Sequence, residues 1–334
     1  MGKILAFGEV MMRLSVPDYK KLSQSSMLEY SFSGTGMNVL SGLSQFGHEV
    51  ELLTKLPKNS LGEAARAQIR KLGISDQKVI YGDEYIGMYF LEQGYGNRNS
   101  KVTYTNRLES SFCKSKLEEY NLDEILKDVK LIHFCGISLA VTENIREIIF
   151  EMVKKAKQKN ILISFDCNYR STLWENYEEA RPIYKKMLEL SDIVFASEQD
   201  AIKIFELTSE FQEEDKRRED FLYQIKNIFS LKVVACTKRE ILSNNHHRLT
   251  GIYLNDKIYY SPSMDCFILD RIGGGDGFTA GILHGILKEY SFQDTVEFAM
   301  ASGVLAHTTS GDSPISSIED VKKIIKDGVG DVSR

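Results

Sequence analysis

The sequence predicts an α/β fold with a mostly parallel central sheet and a small β excursion at one edge. Three observations carry this. Short apolar runs alternate with amphipathic stretches along most of the 334 residues, the order that builds right-handed strand–helix–strand crossovers. Several of the runs are apolar at every position, which suits strands covered on both faces. Two early stretches break the rhythm with polar-alternating or helix-poor sequence.

In chain order, strands are expected at Ile4–Gly8, Val50–Thr54, Leu131–Cys135, Ile161–Phe165, Ile193–Ala196 and Val233–Thr237. Helical periodicity marks Glu143–Lys159, Tyr177–Leu190 and Asp220–Phe229. The region from Met12 to Ser33 has no helical pattern. Ile86–Glu92 and Val102–Thr105 read as strands joined by the turn-rich QGYGNRNS. Together, residues 12–33 and 86–111 are expected to form a lid on a single domain spanning 1–334. The charged run Gln212–Asp220 reads as a solvated loop and helix start. Adjacent His246 and His247 point apart, lack a third ligand at zinc spacing and read as a surface loop.

Composition narrows the function. A net charge of −5 provides no basic face for nucleic acid, and the sequence has 43% hydrophobic and 27% charged residues, ordinary values for a globular protein. No apolar run approaches the length of a membrane helix. Ile4–Phe7 is followed at once by Glu9 and Arg13, unlike a signal peptide. Five widely spaced cysteines fit a reducing compartment. The expectation is a cytoplasmic enzyme or small-molecule binder.

The chemistry concentrates in DRIGGGDGFTAGIL, residues 270–283. It is not a Walker loop, and too little chain follows Ala280 for a dinucleotide-binding domain. Glycines let a backbone approach a ligand closely, and a helix N-terminus favours an anion. A carboxylate at the same place repels phosphate unless it serves as a base for an attacking hydroxyl. Spacing alone leaves two readings open for Asp276, general base or helix cap. Gly277, Gly281 and Gly285 share one helix face, and Ala299, Gly303 and Ala306 are the expected close partners.

DRIGGGD resembles the C-terminal signature of the ribokinase-like (PfkB-type) carbohydrate kinases, in the form seen in bacterial 2-keto-3-deoxygluconate kinases. The resemblance implies a ribokinase-like three-layer α/β/α sandwich with a β-sheet lid. It makes Asp276 the catalytic base and Gly273, Gly274 and Gly275 the anion hole, with Arg271 in place of the usual small residue and positioned to assist. SGTGMNV (33–39) is similar to the N-terminal Gly-Gly-x-x-x-Asn signature; Gly34 and Asn38 match, which implies that the Asn38 amide binds substrate hydroxyls, and Ser33 departs. Arg13 stands where neutral-sugar kinases carry a sugar-gripping Asp, an exchange that favours an acid-bearing substrate.

GMYFLEQG, HFCGISLA and DCNYRSTLW resemble segments of the 2-keto-3-deoxygluconate kinases. They imply a sugar-acid pocket lined by Gly34, Tyr89, Ile137, Asn168 and Arg170. Tyr104 and Arg107 are implied there too, three residues apart where the expected spacing is two, so that one of them is displaced. Arg170 alone reads either as a carboxylate clamp or as half of a structural ion pair. On the nucleotide side, Ser197 and Asp200 replace the family's Asn-x-x-Glu. Thr237 and Arg239 lie in the Thr-x-x-Gly region, where Glu240 replaces Gly, and His307 lies in the stretch beside the adenine. No metal ligand is assigned beyond Asp200 acting through water.

The implied activity is ATP- and Mg²⁺-dependent phosphorylation of 2-keto-3-deoxy-D-gluconate at O6, with a monovalent cation such as K⁺ and a homodimer through the lid as further implications. A neutral-sugar kinase of the fructokinase or ribokinase type is the alternative. The altered Asn-x-x-Glu also raises a catalytically inactive sugar-binding regulator.

Overall fold

A computed structural model describes residues 2–328. Strand β1 (Lys3–Phe7) leads into β2 (Met11–Ser15), β3 (Glu29–Ser33) and helix α1 (Thr35–Gln45). β4 (Val50–Leu56), α2 (Ser60–Lys71), β5 (Val79–Tyr81), β6 (Met88–Glu92) and β7 (Lys101–Thr105) follow. After α3 (Leu122–Ile125) come β8 (Val129–Cys135), α4 (Gly136–Val141), α5 (Glu143–Gln158), β9 (Leu162–Asp166), α6 (Tyr177–Leu190), β10 (Ile193–Phe195), α7 (Glu198–Lys203) and α8 (Glu214–Ile228). The chain continues through β11 (Val233–Ser243), β12 (His246–Leu254), β13 (Ile258–Tyr260), β14 (Met264–Phe267), α9 (Gly274–Leu287), α10 (Phe292–Ala306) and α11 (Ile318–Asp327).

Ten strands form the main sheet in the order β13-β12-β11-β10-β9-β8-β1-β4-β5, with β14 also on β12. From β11 to β5 every pairing is parallel, as the uniformly apolar runs predict. One core cluster contains α5, α6 and α8 residues such as Ile149, Tyr184 and Leu222; the other contains Leu40 of α1 and Ile282 of α9. The strand order reverses at β1, with β4 on one side and β8 on the other. Ligands of such sheets bind beyond the carboxyl ends of the strands near this point.

A second sheet, β3-β2-β6-β7, stands apart. It is drawn from the two segments that break the α/β rhythm.

Three local expectations differ from the structure. The run Gln212–Asp220 is mostly helix. α8 starts at Glu214, because Arg218 folds back onto Glu214 and Asp215 and buries its stem. β11 continues six residues past Thr237, to Ser243, paired along its length by antiparallel β12. His246 and His247 belong to β12, not to a loop. The ring of His246 stacks on Phe267 at 4.3 Å while His247 is buried.

Candidate active site

Two adjoining cavities open at the carboxyl ends of the parallel strands. The larger, about 700 Å³, lies beneath the small sheet, and the smaller, about 410 Å³, lies toward β10 and β11. They share Asp166, Asn168, Arg170 and Gly275.

The glycine turn stands at their junction. Gly273 has φ +95°, and a Cβ there would lie 1.9 Å from the Asp312 carbonyl oxygen, so this position requires glycine. Gly273 is the N-cap of α9 and offers no side chain, leaving the first N–H groups of the helix without intrahelical acceptors. Gly274 packs on the His307 imidazole, whereas a Cβ on Gly275 would project into open space. Free amides of this kind and the dipole of a helix N-terminus favour an anion.

Asp276 lies in the first turn of α9 and caps nothing. Its Oδ2 accepts a 2.8 Å hydrogen bond from Asn38 Nδ2, and Asn38 Oδ1 in turn accepts one from Ser313 Oγ. Burial pushes the carboxyl up to about 8 despite the Asn38 bond, with Asp166 and Asp312 adding to the rise and Arg170 opposing it. Burial, with Asp200 nearby, likewise lifts Asp166 at the end of β9 to about 7. A carboxylate poised near neutrality in a cleft is suited to proton transfer.

The larger cavity is lined by Gly34, Asn38, Tyr89, Tyr104, Arg107, Ile137, Asn168 and Arg170, and by Arg239, Arg271, Gly273, Gly275 and Asp276. Gly34 lies against the Glu9 carbonyl, where a Cβ would come within 2.0 Å. Tyr89 is buried, its hydroxyl donating to Asp312 and lying 3.0 Å from Ser33 Oγ. Tyr104 and Arg107 are side by side, the guanidinium 5.4 Å from the ring centroid. Left-handed Asn106 (φ 52°) turns the chain between them and absorbs the longer spacing. Arg107 also pairs with Glu9 at 2.8 Å.

Arg170 makes one side-chain hydrogen bond, to the Tyr169 carbonyl, and no ion pair among the described residues. Arg239 and Arg271 also lack carboxylate partners there. Burial, then the neighbouring Arg271 charge, lowers the pKa of Arg239. The structure sets Arg239 in the larger cavity, apart from Thr237 in the smaller one.

Arg13 does not face the larger cavity. It is buried behind it, paired with Asp270 and Asp312, so its charge is already spent within the protein. Ser197 and Asp200 line the smaller cavity. They form a capping box on α7, with Asp200 Oδ2 accepting from the Ser197 amide and hydroxyl at 2.7 Å. His307 borders neither cavity; its Nδ1 lies 3.0 Å from the Asp270 carbonyl oxygen. Among the described residues no cluster of three or more His, Cys, Asp or Glu could hold a metal, and no helix is long and apolar enough to cross a membrane.

Sequence reasoning assigned no role to Glu9, Asp166, Asp270 or Asp312, all of which line the larger cavity. Asp166 and Glu9 had a legible signal, since each ends or follows a parallel strand.

The chain matches the model of the pfkB family carbohydrate kinases over residues 1–319. It is 26% identical to a 2-dehydro-3-deoxygalactonokinase of Haloferax volcanii, with 100% of this chain and 99% of the relative covered. Among solved structures, a 2-dehydro-3-deoxygluconokinase from Thermotoga maritima superposes with a TM-score of 0.93 at 32% identity, covering 97% of this chain and 98% of that one. A provisionally assigned 2-keto-3-deoxygluconate kinase from Enterococcus faecalis gives 0.95 at 37% identity, covering 100% and 99%.

Proposed function

Since the chain belongs to the pfkB family of carbohydrate kinases, we propose that it transfers the γ-phosphoryl group of ATP to the 6-hydroxyl of 2-keto-3-deoxy-D-gluconate. The observation that carries the sugar-acid reading is Arg170, a cavity-lining guanidinium with no carboxylate partner among the described residues. A substrate carboxylate supplies what it lacks, and a neutral hexose does not. The similar kinases named for deoxy sugar acids support the same class. Arg13 no longer contributes to this reading, because it is neutralised internally.

In this reading the sugar acid occupies the larger cavity, with its chain along Gly34, Tyr89, Tyr104, Arg107, Ile137 and Asn168. The small sheet serves as its lid. ATP lies toward the smaller cavity, by Ser197, Asp200 and Thr237, with its γ-phosphoryl group at Gly273–Gly275. Asp276, held by Asn38 through one oxygen, presents the other to the substrate hydroxyl. The proton moves late, because a carboxylate cannot deprotonate an alcohol outright and phosphoryl transfer has a loose transition state. The helix amides neutralise the moving charge, with Arg271 and Arg239 on the open side of the cradle.

Asp166 and Asp200 are the carboxylates that would hold Mg²⁺ through water. The donor set fits an ion bound mainly by phosphate oxygens and water, and such an ion supplies charge neutralisation to the triphosphate. A monovalent cation beside Leu305–Asp312 and a homodimer through the lid belong to the same proposal. Met27, Tyr30 and Leu108 leave apolar surface on the small sheet and its adjoining loops.

The test is a coupled ADP-release assay with 2-keto-3-deoxygluconate, its galactonate epimer, fructose and ribose. The sugar acids should turn over well above the neutral sugars. Faster turnover of fructose or ribose, or no turnover of any sugar, overturns the reading.

A further inference from the structure

Arg13 lies where three separate pieces of chain meet. It projects from β2 of the small sheet, which pairs with β6 through Arg13 and Tyr89. Its Nη2 donates to Asp270 Oδ2 at 2.5 Å, its Nη1 to Asp312 Oδ1, and its Nε to Ser15 Oγ at 2.8 Å. Asp270 opens the turn into α9 and accepts from the Ile272 and Gly311 amides, each at 3.3 Å. Asp312 belongs to the loop whose carbonyl packs on Gly273. Tyr89, also from the small sheet, holds the other oxygen of Asp312. The side chains of Arg13, Tyr89, Asp270 and Asp312 are all buried.

Two buried carboxylates flank the glycine turn, and one guanidinium from the small sheet joins them. Arg107 on Glu9 is a separate pair, so no other cation binds these two among the described residues. A planar fork can bridge two carboxylates at once, which a lysine ammonium on a flexible stem does less well. Removing it leaves two buried carboxyls facing one another, and at least one of them must take up a proton or move. Either change is felt at Gly273, which has no slack against Asp312.

We propose that Arg13 is a positioning residue that couples the lid to the anion-hole turn, so that sugar contact with the lid strands aligns Gly273–Gly275 for phosphoryl transfer. This rests on the kinase reading above. It assigns to Arg13 no contact with either substrate. The coupling also offers a physical means of discouraging transfer to water, because the cradle is properly formed only when the lid strands are held in place.

The test compares wild type, Arg13→Lys, Arg13→Met and Asp270→Asn in the full chain. The measurements are kcat, both KM values, ATP hydrolysis without sugar acid, and Tm. Wild-type turnover of sugar acid tests the kinase reading by itself. Given that turnover, Arg13→Lys should lower kcat by roughly 10- to 100-fold, the scale of an ångström misplacement. KM for the sugar acid should change less than about threefold, because ground-state contacts persist. ATP hydrolysis per productive transfer should rise. Asp270→Asn keeps the guanidinium and Asp312, and should give the same pattern if Arg13→Met fails to fold. The Lys and Asn changes combined should cost less than the product of their separate effects on kcat. Wild-type kcat in Arg13→Lys, parallel worsening of kcat and sugar-acid KM, or strictly multiplicative effects overturns the proposal.

Discussion

Asp276 carries two opposed demands at the residue scale. As the proposed base it must be ionised, and burial pushes its carboxyl up to about 8. Activity should therefore be lost as pH falls. In the free enzyme, kcat/KM should drop about tenfold per pH unit below roughly 8, and a profile flat from pH 6 to 9 would count against Asp276 as the base. Replacing it with Ala should lower kcat by roughly 10²- to 10⁴-fold with little change in KM. The same burial costs stability. Between the ordinary carboxylate range near 3.8 and about 8, the folded state binds more protons at this site than the unfolded state does. Folding stability then falls as pH rises through that window. Asp276→Asn should remove the penalty while the neutral side chain still accepts from Asn38. Its Tm should exceed the wild-type value most above pH 8 and least near pH 4, by roughly 2 °C for each kcal/mol relieved; thermal melts at both pH values check this.

Helix α9 separates folding from catalysis at the scale of an element. Its glycine face meets α10 as the spacing predicts. A Cβ on Gly281 would lie 2.4 Å from Ala299 Cα, and one on Gly277 would lie 3.0 Å from Ala306 Cβ. Gly285 instead packs on Thr295, one turn before the expected stripe. Gly281→Leu should cost roughly 3 kcal/mol or more by overpacking, visible as a Tm loss of several degrees; an unchanged Tm would refute the close packing. Gly275 behaves oppositely, having free space where a Cβ would go. Gly275→Ala should melt near the wild-type temperature, yet its methyl group intrudes on the anion cradle. A kcat loss of about 10-fold or more with Tm held is the expected result, since a cradle donor alone is worth that much. Periodicity made the helix–helix contact legible. It could not separate cap from base for Asp276, because both roles favour Asp at the start of a helix. Only the third dimension shows Gly273 as the cap and Asn38 as the partner of Asp276.

For the whole molecule, legibility followed burial. Strand segments hidden on both faces, such as β10 and the first four residues of β11, declare themselves in sequence because every position in them is apolar. The far end of β11 does not, because Glu240–Ser243 are exposed and polar or apolar without pattern. The Arg13 bridge was equally invisible, its partners lying 257 and 299 residues away. The resemblance set Arg13 only at the position where neutral-sugar kinases carry an Asp, while the carboxylates that claim it lie in distant segments. The exposed end of the β11–β12 hairpin reaches the loop between β6 and β7. Asn244 at its tip donates to the Gly96 carbonyl in the β6–β7 loop, and the Tyr19 ring lies tilted against that of Tyr95 in the same loop, with centroids 5.1 Å apart. Asn244, Asn245, Arg98 and Asn99 together border the larger cavity. The hairpin of the main sheet and a loop of the small sheet thus meet beside this cavity. One exposed hydrogen bond is worth about 0.5–1.5 kcal/mol, enough to alter how long a ligand stays but not the alignment of the cradle. Asn244→Ala should therefore raise KM for the sugar acid by roughly 2- to 10-fold and speed its dissociation, with kcat nearly unchanged. Stopped-flow dissociation alongside steady-state kinetics measures both. A fall in kcat without a change in KM would mean that this contact, like the one proposed for Arg13, acts on the chemical step instead of on retention.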